Sequence, residues 1–132
     1  MRRRLTSIFL VVAGCLAALI GAGILLVPRA FFASNHITLK ADPSLMSEIR
    51  APGGLLLAAA LAMVAGGFDR KLAQPGLITA VFVFGMYGIA RLFSLIVDGV
   101  PSASLVGALI IEAVLAFVAL ALLERGQKQG AD

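Results

Sequence analysis

The chain has 132 residues, 61% of them apolar and only 14% charged, where a soluble domain carries roughly 25% charged residues. Its formal net charge of +4 does not point to nucleic acid, because no aromatic residues interleave with the basic ones and no nucleic-acid module is present. A single cysteine, Cys15, excludes an internal disulfide framework and a thiolate metal site.

The basic residues instead bracket apolar segments at about 5–28, 52–68, 76–97 and 103–123. A helix crosses a hydrocarbon layer of about 30 Å with about 20 residues. A lone strand cannot satisfy its backbone in lipid. The expected fold is therefore all-α: an integral membrane four-helix bundle, one transmembrane domain over residues 1–132. The first segment opens with MRRR, which resembles the start of a signal peptide, but its apolar run continues to Val27. That is too long for an h-region. VAGC at 12–15 is followed by more apolar residues, where a mature lipoprotein would turn polar. A retained helix is expected.

The connection 29–51 is the only sizeable piece between spans. Phe31 and Phe32 are expected to anchor at the lipid surface. Asp42-Pro43 reads as a helix start, with Asp42 as N-cap and Pro43 at the first helical position. Leu45, Met46 and Ile49 share an apolar side, so a short interfacial helix ending at Glu48 to Arg50 is expected. Pro52 then breaks it from the second span or kinks a continuous helix. Small residues recur every four positions at Ala13, Ala17 and Gly21, at Gly14, Ala18 and Ala22, and at Gly54, Ala58, Ala62 and Gly66. Such stripes let helices approach closely.

Arg91 and Glu112 interrupt the third and fourth spans. An unpaired charge in hydrocarbon costs about 2.5–3.5 kcal/mol even on an insertion scale. Arg91 stands seven residues before Asp98, and Glu112 eight after Ser104. Both depths are therefore about 10–12 Å below the short connection between the spans. A pair between them is the least costly arrangement. Tyr87 stands four residues before Arg91 and Ser94 three after it, on the same helix face. Glu48, Arg50, Tyr87, Arg91, Asp98 and Glu112 are expected to form one polar cluster in the outer half of the bundle. It serves either to bind a ligand or to lock the helices together.

Arg2, Arg3, Arg4, Arg70, Lys71, Arg125 and Lys128 fall on the side of the termini, against Arg29, Lys40 and Arg50 on the other. This seven-to-three bias places the N- and C-termini in the cytoplasm and the 29–51 connection outside. His36 reads as a surface histidine, Ser102 and Ser104 as caps, Cys15 as a small packing residue, and Met63 and Met86 as core filling. No HExxH, CxxC, GxGxxG or P-loop pattern occurs. No catalytic residue, metal ligand or cofactor is assigned.

The ordered set Asp42-Pro43, SEIRAPGG at 47–54, YGIAR at 87–91, DGVPS at 98–102 and Glu112 resembles the small bacterial membrane proteins grouped as domain of unknown function 4345. The resemblance spans about Asn35 to Leu123. It implies a four-helix inner-membrane architecture with Glu48, Arg50, Tyr87, Arg91, Asp98 and Glu112 as its polar signature, and it implies no chemistry.

The leading expectation is a membrane protein that binds an amphiphile through the cluster, a lipid, fatty acid or quinone, or that acts as an accessory subunit for a membrane partner or a second copy. A small proton- or ion-coupled transporter is the alternative, although an arginine beside the acid opposes the proton exchange that coupling needs. A structural protein with an ion-pair lock is another alternative. An enzyme ranks last, since no nucleophile–base pair or metal set is present. Nucleic acid is not expected as a partner.

Overall fold

A computed structural model describes residues 2–128, with side chains from 3 to 126. It is all-α. Helix α1 covers Arg2–Leu26, the short α2 Pro28–Ala33, α3 Pro43–Phe68, α4 Ala73–Val97 and α5 Ala103–Lys128, with a 3-10 turn at Arg70–Leu72 before α4. The four long helices are each long and apolar enough to cross a membrane. Apolar side chains cover their outer surfaces as well as the core: Leu19, Leu61, Phe82 and Phe117 are all exposed. A helix apolar all round needs a surrounding other than water.

Local signals set the ends. Asp42 has extended backbone, and its carboxylate accepts the Leu45 N–H at 2.7 Å, with Pro43 opening α3. This satisfies one of the four unpaired N–H groups of a helix start. α3 then runs through Pro52 without a break. It begins nine residues ahead of the apolar run at 52–68, so no separate interfacial helix exists. Pro52 can be accommodated because the bond it cannot donate would go to the carbonyl of Glu48, on an exposed turn. α4 ends at Asp98, and Gly99, at φ 94°, reverses the chain toward α5. That backbone region suits a residue without Cβ.

Packing divides the helices into two pairs. α1 and α3 form the most extensive contact, and α4 and α5 the next. α4 also packs on α3, whereas α5 touches α1 at a few positions and, among the described residues, makes no contact with α3. The α1–α3 seam is close to backbone against backbone. A Cβ on Gly21 would stand 2.9 Å from the Gly53 carbonyl oxygen, and one on Gly53 would stand 3.0 Å from that of Gly21. On α1 the seam follows Leu10, Ala13, Ala17 and Gly21, as the first small-residue stripe predicts. On α3 it follows Gly53, Leu56, Ala60, Met63 and Gly67. The predicted second-span stripe is offset: Ala58 and Ala62 are exposed and Gly54 has open space around it, while Gly66 is buried against Leu10 and Leu72.

The buried core lies toward the end that carries the 3-10 turn. α4 buries Gly76, Leu77, Ala80 and Phe84, and nothing beyond Phe84. α5 buries Ala119 and nothing before it. Toward the α2 end the α4–α5 pair thus leans away from α1 and α3. One polar contact bridges the two pairs there: the Ser104 hydroxyl donates to the Asn35 side-chain oxygen at 2.9 Å. Phe31 folds back over Gly23 of α1 and meets Phe32 edge to face at 5.7 Å. Cys15 faces outward, and Met86 is 58% exposed, so of the sulfur-bearing residues read as packing groups Met63 is the one that fills the core.

Candidate functional site

The ionic contact of the bundle sits on the α4–α5 seam. α4 presents Phe84, Gly88, Arg91 and Leu95 at steps of four, three and four, the spacing of one helix face. α5 answers with Leu109, Glu112, Ala116 and Ala119. The two helices run close at Gly88, where an added Cβ would stand in ordinary van der Waals contact, 4.0 Å from the Glu112 Cβ and from the backbone nitrogen of Ala113. One turn further along α4, Arg91 reaches across. Its Nε–H donates to both Glu112 oxygens, at 3.0 Å to Oε1 and 2.9 Å to Oε2. The Glu112 side chain is 12% exposed and that of Arg91 31%. Among the described residues this is the one salt bridge.

The geometry of the guanidinium is one-sided. An arginine–carboxylate pair commonly joins two N–H groups to two oxygens in a fork. Here one N–H serves both oxygens, and no hydrogen bond reaches Nη1 or Nη2 from any described residue. Four donors stay open beside the pair. The Tyr87 hydroxyl, one turn earlier on α4 and half-buried against the core, likewise has no hydrogen-bond partner among the described residues. The site therefore offers donors on one side and a charge-compensating carboxylate on the other.

Three residues of the predicted cluster stand apart from it. Asp98 accepts the Ser94 hydroxyl at 2.8 Å within α4. Glu48 and Arg50 are exposed on α3, which among the described residues does not pack on α5. They are two residues apart on a continuous helix, hence about 200° around its axis, and they form no pair with each other. Arg50 turns toward the α1–α2 junction and, with Arg29, lines an open groove of about 420 Å³ beside Leu26, Val27 and Met46. Among the described residues no three His, Cys, Asp or Glu side chains converge as metal ligands.

From sequence, Gly85 and Gly88 thin α4 near Tyr87, and Gly88 is the one of the two that faces α5. Sequence reading missed Arg29 as a companion of Arg50 and the Asn35–Ser104 contact. Both depend on how the 34–42 segment travels, and no local pattern encodes that.

The chain belongs to the family described as domain of unknown function DUF4345, which matches residues 5–123. No curated protein and no solved structure matches it.

Proposed function

We propose that this DUF4345 chain is a four-span protein of the bacterial inner membrane, with both termini in the cytoplasm, that binds the head of an amphiphile at Arg91. The observation that carries the reading is the one-sided engagement of Arg91, whose Nε serves Glu112 while Nη1 and Nη2 have no partner among the described residues. A group that only locked two helices together would gain by using its fork. An acidic or hydrogen-bonding head seated on the open donors supplies what the protein leaves unmet. A fatty acid, an acidic lipid or a quinone has such a head and an apolar body for the surrounding Leu, Phe and Ile side chains.

Membrane insertion is supported by how little of the apolar surface the chain covers itself. The apolar windows of α4 and α5 are 11% and 6% buried. Surfaces of this kind mark lipid or partner contact. The seven-to-three distribution of Lys and Arg supports the orientation, and in that orientation the Arg91 site lies in the outer half of the bilayer. The same helix surfaces could serve an accessory role against a membrane partner or a second copy.

A second reading, the ion-pair lock, is favoured by the Glu112 carboxylate, whose two oxygens both bind Arg91. A proton-coupled carrier fits less well, because the carboxylate is already occupied by a cation. Native mass spectrometry of the protein in mild detergent separates binding from locking. The wild type should retain an amphiphile. Arg91→Gln should lose it at unchanged helix content, and Arg91→Lys, which keeps the charge without the fork, should retain it more weakly. A wild type free of any amphiphile, or one retained equally by Arg91→Gln, would leave the lock.

A further inference from the structure

We infer that Arg29 and Arg50 form a second binding site, for the phosphate of an anionic phospholipid headgroup at the outer surface; the inference rests on the membrane insertion proposed above. The two arginines come from different elements, α2 and the third turn of α3, and line the same open groove of about 420 Å³. Among the described residues no carboxylate lines that groove. Neither arginine has a hydrogen bond or salt bridge to any described residue. Glu48 offers no compensation, because it faces about 200° away from Arg50 around α3.

Two like charges directed at one groove repel, and an anion between them turns that repulsion into two attractions. Arginine suits phosphate oxygens in particular, through its planar fork of N–H donors. The remaining walls select the form in which the phosphate arrives. Leu26 and Val27 are 68% and 56% exposed, and they continue the apolar outer surface of α1 up to the arginines. Met46 completes the wall from α3, one turn before Arg50. A free phosphate gains nothing from such walls, whereas a phospholipid places its head on Arg29 and Arg50 and its acyl chains along Leu26. The α1–α3 contact at Gly21 and Gly53 lies one turn below Arg50 and holds the two sides of the groove at a fixed spacing.

The test reconstitutes the protein into nanodiscs of equal parts phosphatidylglycerol and phosphatidylcholine and counts the lipids retained on release in native mass spectrometry. Resistance to carbonate extraction is measured first. Failure at that step would refute membrane insertion and the lipid site with it. With insertion established, the wild type should retain phosphatidylglycerol in preference to phosphatidylcholine. Arg29→Gln and Arg50→Gln should each reduce the preference roughly fivefold, and the double variant should abolish it. Lys40→Gln, an exposed cation outside the groove, should leave it unchanged. No preference in the wild type, an equal loss with Lys40→Gln, or displacement of the lipid by millimolar inorganic phosphate would overturn the proposal. The first of these is read on the unaltered protein, so a variant that failed to fold would not shield the inference.

Discussion

Arg91 gives one N–H to a carboxylate that takes it with both oxygens, and the consequences of removing either partner follow from that asymmetry. Arg91→Ala leaves Glu112 charged and largely covered on the seam, and Glu112→Ala leaves Arg91 with no anion. Each should lower stability in detergent on the order of 2–3 kcal/mol, the scale of an unpaired charge in an apolar surround. Removing both should cost less than the sum, because no orphan charge remains. Thermal unfolding of the four species closes the cycle, and strict additivity would show that the two side chains do not interact. This pair was legible from sequence because helical rise converts a residue count into a depth, and the short 98–102 connection makes α4 and α5 neighbours. Glu48 and Arg50 were misread for the converse reason. They were expected to close the outer end of the cluster, yet two residues along one helix turn them to opposite faces, and among the described residues α3 does not pack on α5. Asp98 has its own partner in Ser94, a local contact that distance along the chain also favours.

At the scale of elements, the α1–α3 seam is the rigid part of the molecule, and glycine decides where it closes. A Cβ on Gly53 would meet the Gly21 carbonyl oxygen, Ile24 Cγ2 and the Leu25 backbone nitrogen, each at 3.0 Å. Two of these are backbone atoms that cannot swing aside. Gly54, its neighbour, has nothing within 4 Å. Gly53→Ala should therefore lower the melting temperature by pushing the helices apart. Gly54→Ala should be neutral or stabilising by up to about 1 kcal/mol, the ordinary gain of alanine over glycine inside a helix. Equal effects from the two changes would refute the seam. Sequence pattern revealed that small residues bring these helices together; on α1 it offered two stripes, and the seam follows the first, with Gly14 of the second beside it. It missed the register on α3, because Ala and Gly are so frequent from 53 to 67 that several stripes fit equally well. The large residues inside the seam, Leu56 and Met63, settle the choice, and they are not small residues at all. The start of α3 at Pro43 was marked by Asp42, but its continuity into the span was not, since proline is compatible with both a break and a kink.

Across the whole molecule, two helix pairs share a core at the end of the 3-10 turn and lean apart toward α2, where Ser104 and Asn35 tie them together. Hydropathy alone made the four long helices legible, because each carries an apolar run long enough to cross a membrane. Their pairing was only partly legible: a short turn fixes α4 beside α5, whereas the long 34–42 segment leaves α1 and α3 to be matched by packing. The leaflet that the Arg91 site and the Arg29–Arg50 groove face depends on which end of the bundle points outward. In the proposed orientation residues 34–42 lie outside and the 3-10 turn in the cytoplasm. The most direct measurement is labelling of intact cells with a membrane-impermeant maleimide in a Cys15→Ala background, comparing Lys40→Cys with Lys71→Cys. Both positions are exposed, and they lie at opposite ends of α3. Lys40→Cys should be labelled in intact cells and Lys71→Cys only after the cells are opened. Labelling of Lys71→Cys in intact cells, with Lys40→Cys protected, would contradict the orientation; equal labelling of both would contradict the span between them.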